Sequence, residues 1–196
     1  MSVNVVENFV SKDYAFKIID GSDVFLEDCG GDRLGYFEDK TQRMAISRAK
    51  YLGCKDPRAK EERHNISDML ISDSLYLTKK HLENFYGIQL NNYEGGLVKT
   101  SRGAHNGLHS DMYRLDGSSW EDGSGREDEL EYSALLYFSD HELDFFGGDL
   151  WFPQHNIRIS PRVGTLVFFR GDLDHTHEVS MVESGERYAM IMFFGK

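Results

Sequence analysis

The sequence predicts a mainly β chain with flanking helices, and three observations carry that reading. The last third alternates short apolar runs with turn residues. Leu166 to Phe169 is followed by a turn over Arg170 to Asp174, a strand-like stretch from His175 to Val182, a turn at Ser184 and Gly185, and a closing strand from Arg187 to Phe194, the punctuation of strands joined by tight connections. Leu77 to Tyr86, by contrast, is rich in helix formers with apolar residues at helical separation. Finally, 196 residues with 40% hydrophobic and 13% aromatic content suffice for one substantial core, so residues 1–196 read as a single domain.

The chain opens with Met1 to Val10, which has neither a basic start nor a long apolar run, and no later run approaches membrane-spanning length. No membrane association and a cytoplasmic location are expected. Ser11 to Ile19 reads as a capped helix. Two charged stretches, near 40 to 52 and 58 to 86, read as further helices, which makes residues 1–85 a helical and mixed support for a β-rich remainder, 86–196. The two cysteines, Cys29 and Cys54, have no metal-like spacing and suggest neither a disulfide scaffold nor a zinc module. Lys99 to Gly107 is loop-like. Arg114 to Glu131 is so rich in Gly, Ser and acid that it cannot bury enough apolar surface to hold itself rigid. It is placed to act as a lid with Trp120 as its contact residue, or it is an acidic insertion with no role. No internal repeat is evident.

The chemistry concentrates in four residues: His109, Asp111, His177 and Arg187. Two neutral imidazoles and one carboxylate on one face of a metal suit a non-haem Fe(II) that must also take up a chelating oxo-acid and O2. Alone, His109 and Asp111 prove little, because eight His and eighteen Asp in this chain yield about 0.7 His-x-Asp triplets by chance. On a strand, however, residues two apart share a face, whereas on a helix they diverge. His81 and Glu83 have the same spacing on the predicted helix and should point apart, as part of a solvated face. His175 and His177 are also two apart, so either could meet a metal. In the last strand Arg187 shares a face with Ala189, Ile191 and Phe193. A cation in such apolar company needs a partner, and the guanidinium fork suits a carboxylate. His64, His105, His141 and His155 have no partner at ligand spacing and read as surface residues.

These stretches resemble the Fe(II)/2-oxoglutarate-dependent dioxygenases, and within them the prolyl 4-hydroxylase-like branch. The matching segments are His109-x-Asp111, Leu135 to Phe138, Gly147 to Leu150, Pro161-x-x-Gly164 through Phe168, His177 to Val179, and Gly185 to Tyr188, in the family's order and spread over residues 86 to 196. The resemblance implies a double-stranded β-helix, a jelly-roll, cupin-like barrel with the metal at its open end and the N-terminal helices packed outside it. It implies His109, Asp111 and His177 as iron ligands, His177 being favoured over His175 because it precedes Arg187 by ten positions. Arg187 looks like the anchor of the distal 2-oxoglutarate carboxylate, Tyr137 like a second donor to it, and Leu135 like apolar wall. Tyr93, in a Tyr-x-x-Gly segment sixteen residues before His109, looks like a further cosubstrate contact.

The implied activity turns 2-oxoglutarate and O2 into succinate and CO2 while hydroxylating a substrate carbon, with ascorbate as an accessory reductant. Asp111 favours hydroxylation, since the family's halogenases replace this carboxylate with a small residue. A prolyl residue in a peptide or protein is the first expectation for the substrate, and a free amino acid or small metabolite the second. Nucleic acid is not expected, because the net charge is −11, which repels a phosphate backbone, and no Arg follows Arg187 as it does in the demethylating branch. A reading from another class is a non-catalytic cupin-like module that binds metal or peptide.

Overall fold

In the computed structural model residues 2–28, 43–47, 62–118 and 130–196 are described. Why the C-terminal half forms strands is visible in β5 (Tyr132–Tyr137), where every residue is buried. Tyr132, Ala134 and Leu136 join one apolar cluster, Leu135 and Tyr137 another. The same alternation divides β9 (Leu166–Arg170) into Leu166 and Phe168 on one side and Val167 and Phe169 on the other. A strand buried on both faces reads as a continuous apolar run rather than as alternation.

These strands belong to a seven-stranded sheet in the order β1 (Asn4–Val6), β9, β5, β11 (Val182–Gly195), β3 (Asn92–Ser101), β2 (Arg43–Ser47), with β6 (Phe145–Gly147) also on β11. A four-stranded sheet follows the order β4 (Asn106–His109), β10 (His177–Val179), β7 (Leu150–Phe152), β8 (Ile157–Ile159). All pairings within both sheets are antiparallel. One face of the large sheet packs on the small one through Leu135, Tyr137, Val167, Phe169 and Ala189 against Leu150 and Phe152. Its other face carries the helices α1 (Lys12–Asp28) and α2 (Glu62–Tyr86), with Ala15, Ile18, Ile71, Leu75 and Leu82 set against Leu136, Phe168, Met190 and Phe194. The predicted mainly β architecture with flanking helices is thus the observed one.

Ser11 caps α1 by accepting the Tyr14 N–H at 3.2 Å, as the sequence suggests. Helix α2 stops where Gly87 and Ile88 both donate to the Glu83 carbonyl. His81 and Glu83 do diverge, but His81 is not on a solvated face. Its ring lies between Phe9 and Phe168, 5.4 Å from each, and burial lowers its pKa. No helix among the described residues is long and apolar enough to cross a membrane.

Three local expectations need correction. The stretch near 40 to 52, expected to be helical, contains β2, because β3 has an open edge and ladder pairing along it from Arg43↔Thr100 to Ser47↔Gly96 overrides weak local propensity. Lys99 to Ser101, expected in a loop, continue β3 for the same reason, paired with Tyr188, Arg187 and Glu186 of β11. Ser184 and Gly185 do not end a strand but lie inside β11, just after the register on β6 shifts between Val182 and Ser184. Gly185 has φ +74°, and a Cβ there would meet the Asp144 carbonyl oxygen at 2.0 Å, so the kink requires glycine. Cys29, Cys54, Trp120 and most of the acidic segment 114–131 lie outside the described residues.

Candidate metal centre

Two neighbouring strands of the small sheet bring the histidines together. β4 and β10 pair with His109 opposite His177, and the two rings sit 4.3 Å apart. Phe152 and Phe169, at 5.3 and 4.9 Å from the His177 ring, wall it into the interior. Asp111 is not on β4, which ends at His109. It reaches the same side because the residues flanking it are tied to one acceptor: the Ser110 hydroxyl and the Met112 N–H both donate to the Gly171 carbonyl, at 2.8 and 3.0 Å. A Cβ at Gly171 would meet Met112 Cγ at 2.5 Å, so any larger residue there would displace the Met112 side chain beside Asp111.

The ligand atoms of His109, Asp111 and His177 lie within 4.8 Å of one another. His109 Nε2 is 3.5 Å from one Asp111 oxygen and His177 Nε2 is 3.8 Å from the other. Each imidazole is oriented from behind by a backbone carbonyl: His109 Nδ1 donates to Gly107 O at 2.7 Å and His177 Nδ1 to His175 O at 3.0 Å. A carbonyl only accepts, so in the neutral ring the proton sits on Nδ1 and Nε2 presents a lone pair. Burial pushes His177 below its ordinary pKa, against the pull of Asp111, and keeps it neutral. Burial opposes ionisation of Asp111 too, but its carboxyl is lowered to about 2 where His177 and His109 offer it positive charge or a proton, the role a cation between the three groups takes over when both rings are neutral. Imidazole lone pairs facing a carboxylate repel unless a cation lies between them. The spacings, none above 4.8 Å, are those of three groups that can converge on one ion. The donor set therefore fits a divalent ion of the nitrogen- and oxygen-liking kind.

Arg187 is buried on β11, the strand flanked by β5 and β3. Its Nη2 donates to the Tyr137 hydroxyl at 3.2 Å, its guanidinium carbon lies 4.9 Å from the centre of that ring, and its Nε has no hydrogen-bond partner. An orphaned guanidinium nitrogen in the interior is the expected counterpart of a carboxylate that binds there. Burial pushes the Tyr137 phenol up, against the effect of Arg187, so it stays protonated and able to donate. Leu135 packs in the same interior cluster as Tyr137.

Tyr93 does not join these groups. β3 pairs it with Phe194, whereas Thr100, seven positions on, faces Arg187, a separation of roughly 23 Å at about 3.3 Å per strand residue. Tyr93 is exposed and takes the Lys79 ammonium over its ring at 5.7 Å. His175 also turns away, because Leu173–His175 is a 3-10 turn and strand alternation begins only at His177. Its Nδ1 lies 2.6 Å from Asp172 Oδ1. Nor are His141 and His155 plain surface residues: His141 lies 3.6 Å from Asp149 and His155 stacks on His175.

Residues that position the site went unnoticed where their effect depends on distant partners. Ser110 and Gly171 are one such pair. Gly148, with φ +65°, is another case: a Cβ there would meet Arg187 Cδ at 3.0 Å, so its bare backbone leaves room for the guanidinium stem. The doubled glycine at 147 and 148 was the available signal.

Comparison with known proteins places this geometry in context. A family model described as the 2OG-Fe(II) oxygenase superfamily matches residues 79–195. Over 67 residues, 33% of this chain, the sequence is 39% identical to 2-oxoglutarate and iron-dependent oxygenase domain-containing protein 3 of Xenopus tropicalis. Over 94 residues, 44% of this chain, it is 35% identical to human prolyl 3-hydroxylase 3. The matches span 21% and 12% of those relatives' own lengths. Among solved structures, a Pseudomonas putida prolyl-4-hydroxylase is similar at TM-score 0.65 and 19% identity, covering 99% of this chain and 92% of that one. The viral collagen prolyl hydroxylase from Paramecium Bursaria Chlorella virus-1, solved as a 2OG complex, is similar at TM-score 0.61 and 14% identity, covering 100% and 96%. At these identities the likeness shows the double-stranded β-helix fold.

Proposed function

The chain belongs to the 2OG-Fe(II) oxygenase superfamily, and from that premise we propose that it is a dioxygenase hydroxylating a prolyl residue of a peptide or protein. The observation that carries the oxygenase reading is the coexistence, in one barrel, of the His109, Asp111 and His177 cluster with a buried Arg187 whose Nε is unpartnered. A module that only binds metal has no use for the second feature. The prolyl preference rests on the fold shared with prolyl hydroxylases and on the local identity to prolyl 3-hydroxylase 3.

In this reading His109, Asp111 and His177 would hold Fe(II), and Arg187 with Tyr137 would hold the far carboxylate of 2-oxoglutarate. The bound iron and cosubstrate would supply the oxidation, coupling conversion of 2-oxoglutarate and O2 to succinate and CO2 with hydroxylation of a carbon. The protein's own part is placement. The Gly107 and His175 carbonyls keep the proton of each imidazole on Nδ1, so that Nε2 remains a donor to metal. The Tyr137 hydroxyl, accepting from Arg187, keeps its own proton available and would donate it to that carboxylate. Phe152, Phe169, Leu135 and Ala189 exclude water on the interior side.

An anaerobic titration of the apoprotein with Fe(II) and 2-oxoglutarate tests this, following the visible charge-transfer band of the chelate. The band should form in the wild type and be lost in His177→Ala. Metal binding without a band would leave a binding module in place of an oxygenase. Succinate formation on proline-containing peptides, against free amino acids, then tests the substrate class.

A further inference from the structure

The segment Gly171–His175 supplies no ligand, yet it touches the supports of two. Gly171 gives the carbonyl that holds Ser110 and Met112 on either side of Asp111. At its other end His175 gives the carbonyl that receives the His177 Nδ1–H. Between them Asp172 bridges two partners, with Oδ1 2.6 Å from His175 Nδ1 and Oδ2 3.3 Å from Arg170 Nε. Its own carbonyl takes the His175 N–H at 3.1 Å and closes the 3-10 turn. The His175 ring is stacked between His155, 5.0 Å away at 28°, and Phe169, 6.3 Å away at 26°.

We propose that Asp172 is a positioning residue of the metal centre: by clamping His175 it sets the carbonyl that aims His177 Nε2 at the ion. The proposal rests on the reading that His109, Asp111 and His177 hold Fe(II). A surface ion pair with Arg170 alone would contribute little. The contact with His175 differs because that side chain is 2% exposed, against 32% for Asp172, so the carboxylate grips a buried ring from the solvent side. The chain of contact from Asp172 to His175 to His177 is an outer-shell arrangement of the type that tunes metal affinity.

The test is anaerobic titration of the metal-free full chain with Fe(II), and with Co(II) for its visible spectrum, in wild type, Asp172→Asn and Asp172→Ala. Asp172→Ala should weaken Fe(II) about 10- to 100-fold, alter the Co(II) band at saturating metal, and leave the melting temperature of the metal-free protein nearly unchanged. Asp172→Asn can still accept the His175 Nδ1–H and should recover most of the affinity and the band. Wild-type affinity and an unchanged Co(II) band in Asp172→Ala would overturn the proposal, as would a lower melting temperature with no change in affinity. Should Asp172→Ala not fold, the Asn variant is compared with Asp172→Leu, which has similar bulk and no acceptor; equal affinity in the two would overturn it. A wild type that binds neither metal would instead bring down the metal-centre reading itself, and this proposal with it.

Discussion

Arg187 brings a fork of donors into the barrel, and only part of that fork is engaged by the protein, through Tyr137. Arg187→Lys keeps the charge but loses the paired geometry. A charge-assisted hydrogen bond contributes about 1.5–3 kcal/mol, so the KM for 2-oxoglutarate should rise roughly 10- to 100-fold, while the Fe(II) affinity of the metal-free protein stays as in wild type. Steady-state succinate assays and metal titration on the same preparation check both halves, and loss of iron binding in the lysine variant would contradict the separation of the two sites. At this scale the sequence showed residue types well and directions less well. That His109, Asp111 and His177 come together, and that Arg187 meets Tyr137, was legible because chemistry restricts which side chains suit such a cluster and such a buried pair. Tyr93 was drawn in by the Tyr-x-x-Gly resemblance, which does not register that β3 carries it to the end paired with Phe194, seven positions from the residue opposite Arg187.

Helix α2 ends in a cluster that makes it sensitive to acid. The Glu83 carboxylate accepts from Lys79 and Lys80 and from the Leu90 N–H, 3.1 Å away at the start of the crossing to β3. Lys79 first, then Lys80 and Leu90, hold its pKa down at about 2 from an ordinary 4.5. The folded value lies below the unfolded one, so this contribution to stability is fully present above about pH 4.5 and is lost as pH falls toward 2. The melting temperature of the wild type should therefore fall more between pH 5 and 3 than that of Glu83→Gln, and parallel declines in a thermal melt series would exclude this role. Elements show why the fold was only partly legible. A cap signal revealed α1, helical spacing of apolar residues α2, and turn-bounded apolar runs β9 and β11, while β5 was reached only through the family resemblance. The strand β2 was missed because its partner is about fifty residues away, and local composition cannot register an open sheet edge. The Gly185 kink was read as a chain reversal because a positive φ serves equally well in a turn and in a bulge.

At the scale of the whole molecule, the two cores found among the described residues share the strands β5, β9 and β11, and they should respond differently to truncation. Phe152, fully buried between the sheets, packs on both Phe169 and His177. Leu82, equally buried, lies in the helix-facing cluster. Phe152→Ala should cost about 3–5 kcal/mol and Leu82→Ala about 2–5 kcal/mol, measured by urea denaturation. Only the first should also weaken Fe(II) binding in the folded protein, and equal metal affinities in the two variants would show that the cores are not separable. The alternation in β5, β9 and β11 that creates these cores has one more consequence. Substitutions on one set of positions alter the site, those on the other alter its support, and the two can vary independently through a lineage. Loss or gain of one residue ahead of Arg187 in β11 has no such independence, since it would put Tyr188 or Glu186 in the place of Arg187 and shift every later position with it. The central strand thus behaves as a reading frame in space, tolerant of changed letters and intolerant of a shift.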